Sequence, residues 1–221
     1  MPRALPDLLS SGDEGWASVT QWASASDRDS TVLAVDEQQR DRVLVALQVT
    51  TRSVLGALAW HTSGLLVDHG WLRLLGGAGS WLPDLVTVNE PRLHGYGPPP
   101  YLVIAHDVLG GRFAVNGGGL PGRAGEVAYF GPDTLDWLPT DLSNSDFVHW
   151  AFTGDLGSFY GPLRWPGWET EVDAVPPDGL VSVYPPLFTV EGQDVAGASR
   201  RVVPWRELTS WYDELAGTDQ G

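Results

Sequence analysis

The chain of 221 residues contains no cysteine, and this absence excludes several classes of site. Without thiols there are no disulfides, no thiolate metal ligands and no cysteine nucleophile. A chain without cysteine also fits a reducing compartment, so we expect a cytoplasmic protein. Lysine is absent too, and every basic residue except histidine is arginine. We attribute that preference to codon usage rather than to arginine chemistry.

Long apolar runs are also missing from the sequence. No stretch approaches the roughly 18 consecutive apolar residues of a membrane-spanning helix. The opening Met1-Pro2-Arg3 is not followed by the apolar segment of a signal peptide, because acidic residues interrupt it. We therefore expect neither a membrane span nor a secretion signal.

Positive charge is scarce, above all in the second half of the chain. The formal net charge is −15 at pH 7, and residues 124–221 hold 16 acidic residues but only four arginines. A negative field repels phosphates, which argues against direct nucleic-acid binding. The acids either keep the surface soluble or form a face that attracts a basic protein partner.

Apolar periodicity predicts a mixed chain of helices and strands. Helices are expected at residues 14–24 and 37–49, from Ser53 to Gly64, behind Ser143, and from Pro204 to Gly217. Strands are expected at residues 31–35, 65–67, 71–75, 101–106, 112–115, 126–130, 181–184 and 188–190. Residues 89–100 are expected to form a loop, and the stretch around Trp137 to be irregular.

Two patterns that could carry chemistry are explained by ordinary structure. The glycines at 117, 119 and 122 have dinucleotide-loop spacing, but Pro121 interrupts them and a strand follows, so a hairpin turn is indicated. None of the five histidines has metal-ligand spacing, with His69 expected in a turn and His106 near solvent. We therefore predict no catalytic residues, no cofactor and no metal.

Carboxylates beside tryptophans suggest one enzymatic alternative. Glu169, Glu171 and Asp173 alternate close to Trp165 and Trp168, as acids and ring surfaces do in a sugar-processing cleft. The same pattern also describes a solvated strand face beside buried indoles. A further alternative is a small-molecule pocket, which would be lined by Trp60, Trp71 or Trp81.

Two segments carry a family resemblance: SVLGALAWHTSGLLVDHGWLRLLG (Ser53–Gly76) and YFGPDTLDW (Tyr129–Trp137). They are similar to a bacterial family catalogued as domain of unknown function 2625. The resemblance runs from about Val32 to Trp168. It implies no activity, because the family has none assigned.

A second resemblance rests on the order of Tyr101–His106, Gly111–Val115, Gly125–Phe130 and Ser143–Trp150. Three strands followed by a capped aromatic helix resemble the SUKH superfamily, which includes Smi1/Knr4-like and Syd-like proteins. Members commonly act as non-catalytic binding modules, and many are immunity proteins that block toxins. The resemblance therefore implies a protein-binding role.

Pattern and resemblance together predict an α+β fold, with an antiparallel sheet of short strands covered by helices. We expect a single domain over residues 1–221. Within it, residues 1–30 would be an N-terminal helical segment and residues 31–161 a SUKH-like core. Residues 162–221 would be a Pro-rich C-terminal extension that packs on the core and ends in a helix.

The leading functional hypothesis is a non-enzymatic protein-binding module of the immunity type, which neutralises a basic protein partner through an acidic face. Its candidate contact residues are Asp133, Asp136, Asp141, Asp146, Asp155, Glu169 and Glu171. The alternative is a carbohydrate-active or small-molecule-binding protein with a cleft of tryptophans and carboxylates. The sequence does not indicate an oligomeric state.

Overall fold

The computed structural model describes residues 2–9, 12–93 and 98–217 of the chain. Over these ranges the chain forms nine α-helices and nine β-strands, so the expected α+β class is confirmed. Seven strands make one antiparallel sheet, and the other two make a small second sheet. None of the helices in these ranges has the length and apolar composition needed to cross a membrane.

The main sheet has a simple order in which each strand pairs with its neighbours in sequence. Its strands are β1 (Ser30–Ala34), β2 (Thr62–Val67), β3 (Leu72–Leu75), β4 (Tyr101–Asp107), β5 (Arg112–Asn116), β6 (Glu126–Phe130) and β7 (Trp137–Ser143). The small sheet pairs β8 (Gly179–Tyr184) with β9 (Ser199–Pro204). It is fastened to the turn after β4, because Val181 N–H donates to the Val108 carbonyl at 2.7 Å.

The helices begin and end at side-chain caps in several places. They are α1 (Leu5–Leu8), α2 (Glu14–Ala25), α3 (Arg40–Leu47), α4 (Val54–His61), α5 (Leu85–Leu93), α6 (Asn144–Thr153), α7 (Leu156–Tyr160), α8 (Trp168–Asp173) and α9 (Trp205–Leu215). Ser53 accepts the Gly56 N–H at 3.1 Å, and Ser143 accepts the Asp146 N–H at 3.2 Å. Both caps were predicted from the sequence.

Strand alternation sends neighbouring residues of β5 to opposite faces of the sheet. Phe113 packs against Phe147 of α6, with ring centroids 4.6 Å apart. Arg112, the preceding residue, lies on the other face and pairs with Asp213 of α9 at 2.7 Å. We call these the α6 face and the α9 face. Since both are covered, β4 and β5 are buried over most of their length.

The hydrophobic core contains the residues expected from strand alternation and the helix stripe. Trp71, Phe113, Val127 and Phe147 are all 1% exposed or less. Trp150 is half-buried and lies against the same cluster, with its ring centroid 6.0 Å from that of Phe147. The predicted apolar stripe of α6 is therefore confirmed.

Two boundaries between helix and loop differ from the prediction. Residues 89–93 belong to α5. Asp84 caps the start of that helix by accepting two backbone N–H groups, at 2.9 and 3.0 Å. Residues 94–97 of the predicted loop lie outside the described residues. Helix α4 ends at His61 rather than at Gly64, which lies inside β2. A Cβ at Gly64 would meet the Leu74 carbonyl oxygen at 2.6 Å, so close strand packing requires glycine there.

Two strands were not predicted, and one predicted strand is absent. Trp137–Ser143 forms the edge strand β7, whose alternation is broken by a register shift opposite Val127/Ala128. Ser199–Pro204 forms β9. The prediction of a strand at 188–190 is wrong: the Thr189 N–H and hydroxyl both donate to the Pro186 carbonyl, which folds the segment into a turn.

A buried arginine ties the main sheet to the segment that leads into β8. Arg73 of β3 is 1% exposed. Its Nε donates to the Gly70 carbonyl at 2.9 Å, and its Nη1 donates to the carbonyls of Pro177, at 3.0 Å, and Gly179. Burial lowers the pKa of Arg73 to about 10, so the guanidinium remains charged at neutral pH.

Replacing this arginine is expected to destabilise the protein. Arg73→Met keeps the aliphatic volume but leaves several buried carbonyls without a donor, which costs about 3 kcal/mol of unfolding free energy. Urea unfolding followed by circular dichroism measures the change. Arg52→Met is the matched control, since Arg52 is exposed and the substitution is the same. Equal midpoints for the two variants would contradict the anchoring role.

Candidate functional site

An apolar groove of about 310 Å³ lies between the edge strand β7 and helices α6 and α7. We call it the β7 groove. Its main wall residues are Phe113, Tyr129, Leu138, Leu142, Trp150 and Phe159. A second cavity shares Tyr129, Leu138 and Phe159 with it and continues to Asp133 in the turn between β6 and β7. The groove therefore runs along β7 towards the turn that joins β6 and β7.

The floor of the β7 groove is a cluster of aromatic rings that meet at tilted or edge-to-face angles. Tyr129 lies 4.6 Å from Phe113 and 5.1 Å from Phe159, centroid to centroid, and Phe159 lies 5.1 Å from Trp150. Leu138 is 52% exposed and Phe159 is 38% exposed. Large apolar side chains that remain reachable in a concave surface are typical of a binding site. The sequence analysis did not identify these wall residues.

Five of the predicted contact residues lie on elements or turns that border this groove, and one of them lines it. Asp133 lines it, and Asp136 lies in the same turn. Asp141 stands in β7 between two groove residues, Asp146 begins α6, and Asp155 precedes α7. All five are exposed. Among the described residues, none of them forms an ion pair with an arginine.

Two of these aspartates also have local structural roles. Asp146 accepts the Ser143 hydroxyl at 2.7 Å, beside the cap that Ser143 provides for α6. Asp155 accepts the hydroxyl and the backbone N–H of Ser158, and these hydrogen bonds lower the pKa of Asp155. Helix capping therefore accounts for Asp146 and Asp155, whereas Asp133 and Asp136 cap no helix.

The other two predicted contact residues, Glu169 and Glu171, lie elsewhere. Both are on α8, which packs near the turn between β2 and β3 because Asp173 meets His69 at 3.1 Å. Strand β3 is four strand spacings from β7, or roughly 19 Å. Glu171 is also paired with Arg200 at 3.1 Å. The structure does not bring these two residues together with the five aspartates.

The carboxylates expected for a sugar-processing cleft do not line one. Glu169, Glu171 and Asp173 lie on the short helix α8 and are exposed, so they form neither a cleft nor the alternative of a solvated strand face. Trp165 is buried, and Trp168 is covered by Arg164 at 4.0 Å. The three carboxylates and the two tryptophans line none of five cavities of about 130 to 550 Å³ in the described residues.

The tryptophans expected for a small-molecule pocket do not form one. Trp71 is fully buried in the core, and Trp81 is 61% exposed. Trp60 lies under Arg40, whose guanidinium carbon is 4.1 Å from the ring centroid. The three rings serve packing and surface contacts rather than a shared cavity.

A buried carboxyl supports the groove floor from below. The Tyr129 hydroxyl donates to Asp107 Oδ2 at 2.8 Å, and Asp107 Oδ1 accepts the N–H groups of Leu109 and Gly111 at 2.9 Å. A Cβ at Gly111 would approach Asp107 Oδ2 to 2.2 Å, so this turn requires glycine. Burial raises the pKa of Asp107 to about 6, although the three hydrogen bonds oppose that change.

The pKa of His106, next to Asp107 in the chain, is shifted in the opposite direction. His106 was expected near solvent, but it is 4% exposed because α9 covers its face of the sheet. Burial lowers the pKa of His106 to about 3, and the charges of Arg73 and Arg112 add to the effect. His106 is therefore neutral, and its Nε2 has no hydrogen-bond partner among the described residues.

We expect Asp107 to make the protein less stable as pH rises from about 4 to about 6. Its pKa is higher in the folded chain than in the unfolded chain, so the folded state holds the extra proton in that window. Asp107→Asn removes this slope. The variant should gain on the wild type by roughly 1–3 kcal/mol across the window, measured by urea unfolding at each pH.

His106→Asn should show the reverse sign. The folded pKa of His106 is lowered, so its contribution to stability is lost as pH falls from 6.5 toward 3. The variant should therefore gain stability relative to the wild type as pH falls.

The control for Asp107→Asn is Asp194→Asn, which makes the same change of a carboxylate at an exposed position. Stability profiles of Asp107→Asn and wild type that run parallel would show that Asp107 does not titrate in this window.

Comparison with known proteins places the chain among uncharacterised bacterial relatives. It is 35% identical over 218 residues to an Escherichia coli K12 protein described as putative uncharacterized protein YbfG, with 98% of each chain covered. It is 32% identical over 173 residues to an uncharacterized protein of Haemophilus influenzae, covering 77% of this chain and 76% of the other. A family model matches residues 5–208, well beyond the segments that carried the resemblance. The chain therefore belongs to the family described as protein of unknown function DUF2625.

Proposed function

We propose that the protein is a non-enzymatic, immunity-type protein-binding module of SUKH-like fold that neutralises a basic partner at the β7 groove. The observation that carries the proposal is an exposed apolar groove that continues to Asp133, with Asp136 in the same turn, and among the described residues neither aspartate forms an ion pair with an arginine. The SUKH-like assignment is supported by the order of β4, β5, β6 and the capped helix α6, although the additional strand β7 lies between β6 and α6.

The chemistry of the groove favours a protein partner. Interfaces commonly combine a desolvated aromatic or aliphatic centre with a polar rim. Here the aromatic floor would receive an apolar side chain, and Asp133 and Asp136 would face arginines or lysines beside it. Such an acidic rim steers a basic partner and suppresses binding of acidic proteins.

The edge of the sheet favours side-chain contacts over the addition of a partner strand. Pro139 has no N–H to donate, and Asp141 has a φ of +59° at the bulge in β7. The Thr140 hydroxyl donates to the Val127 carbonyl at 2.7 Å, which occupies a group of the neighbouring strand. A partner strand therefore could not form continuous backbone hydrogen bonds along the outer edge of β7.

Charge reversal at the groove rim should slow association with a basic partner. Asp133→Lys/Asp136→Lys avoids both helix caps, so folding stability should change little. Affinity capture from the native host identifies salt-sensitive partners, and stopped-flow association with the purified partner gives the rate. We expect a fall of about tenfold or more at low ionic strength, and a smaller difference at high salt.

A matched variant separates the groove from net charge. Glu191→Lys/Glu214→Lys makes the same charge change at exposed positions outside the groove. It should leave most of the association rate intact. Leu138→Asp tests the apolar floor and should speed dissociation. An acidic partner, or equal slowing by both double variants, would refute the proposal.

A further inference from the structure

A separate cavity, of about 130 Å³, lies on the α9 face of the sheet, between α5 and α9. Strands β4 and β5 form its floor with His106 and Arg112, which pair across the two strands. Phe113, the next residue of β5, lines the β7 groove on the other face. The two sites are therefore separated by the sheet.

Positive charge is concentrated in this cavity. Three of the chain's 13 basic side chains line it, while Asp213 is the single acid among its described lining residues. Because the protein carries a net charge of −15, such a local excess of arginine is unusual for its surface. The ionisable residues among its described lining are Arg92, His106, Arg112, Arg206 and Asp213.

Two of these arginines are held in place without a carboxylate. Arg92 lies 4.4 Å from the ring centroid of Tyr101, and Arg206 lies 4.5 Å from that of Trp205. Among the described residues neither forms an ion pair. Stacking on a ring orients a guanidinium and leaves its N–H donors available to an anion.

The floor holds polar groups that the protein itself does not fully satisfy. His106 Nε2 and Arg112 Nε have no hydrogen-bond partner among the described residues. Both residues are 4% exposed, and buried donors or acceptors without a partner are uncommon. Arg112 pairs with Asp213, and this one carboxylate neutralises only part of the positive charge of the three arginines.

We propose that this cavity binds a small, doubly charged oxyanion of the phosphate class. The three arginines and Asp213 leave a formal charge of about +2 at the site, which a divalent anion neutralises more completely than a monovalent carboxylate. Guanidinium groups match phosphate oxygens with two parallel hydrogen bonds. The volume of about 130 Å³ accommodates a compact ion, and a larger phosphate ester would extend from the opening.

The test is a titration of the full chain with inorganic phosphate at constant ionic strength, followed by calorimetry and phosphorus NMR. We expect saturable binding at one site. Arg206→Gln removes an exposed lining charge and should weaken binding by about tenfold or more. Arg92→Gln should do the same, and Arg206→Gln alone suffices if Arg92→Gln fails to fold. Arg52→Gln, exposed and outside the cavity, should bind like the wild type.

Other ligands separate the sources of the phosphate group. Tighter binding of glycerol 3-phosphate than of inorganic phosphate would support a phosphomonoester as the ligand, and the reverse would support the free ion. No saturable binding up to roughly 10 mM phosphate would overturn the proposal. So would equal weakening by Arg52→Gln, which indicates general electrostatics, or acetate binding as tightly as phosphate, which removes the preference for a divalent ion.

Discussion

Burial of β4 and β5 on both faces is the constraint on which the rest of the structure depends. An antiparallel sheet commonly leaves one face to water, whereas here α6 covers one face and α9 the other. Most polar groups on the central strands then need a partner inside the protein, and His106 Nε2 and Arg112 Nε lack one among the described residues. Asp107 obtains two amides and a tyrosine hydroxyl, and Arg73 of the adjacent strand obtains backbone carbonyls. These contacts fix the turn after β4 and the approach to β8.

At the edge of the sheet this cover is incomplete, and the β7 groove results. Leu138 remains half-exposed beside the aromatic floor. Exposed carboxylates such as Asp133 can lie beside the groove at low cost because they keep their hydration, unlike Asp107, whose burial raises its pKa. The bulge and Pro139 interrupt the outer edge of β7, which limits strand addition by other chains. Apolar contact and negative charge thus occur together where backbone pairing is suppressed.

The sequence predicted the elements whose signals are local. The strands at 101–106 and 112–115 and the helix starts at Ser53 and Ser143 depend on neighbouring residues, and they are confirmed. Strand β7 was missed because its bulge breaks the alternation of side chains. The exposure of the aspartates followed from composition, but the groove walls did not. They come from β5, β6, β7, α6 and α7, which only the tertiary fold brings together. The burial of His106 likewise depends on α9, about 100 residues later in the chain.

Net charge describes neither of the two surfaces that this fold creates. A charge of −15 argues against an extended polyanion, which would meet the acidic exterior over many residues. A small ion in a cavity meets mainly the charges within one Debye length, about 8 Å at physiological ionic strength. Among the described residues that line the cavity between α5 and α9, three charged side chains are arginines and one is the acid Asp213. The sheet therefore separates the apolar β7 groove, with Asp133 at one end, from the cavity lined by three arginines on the α9 face.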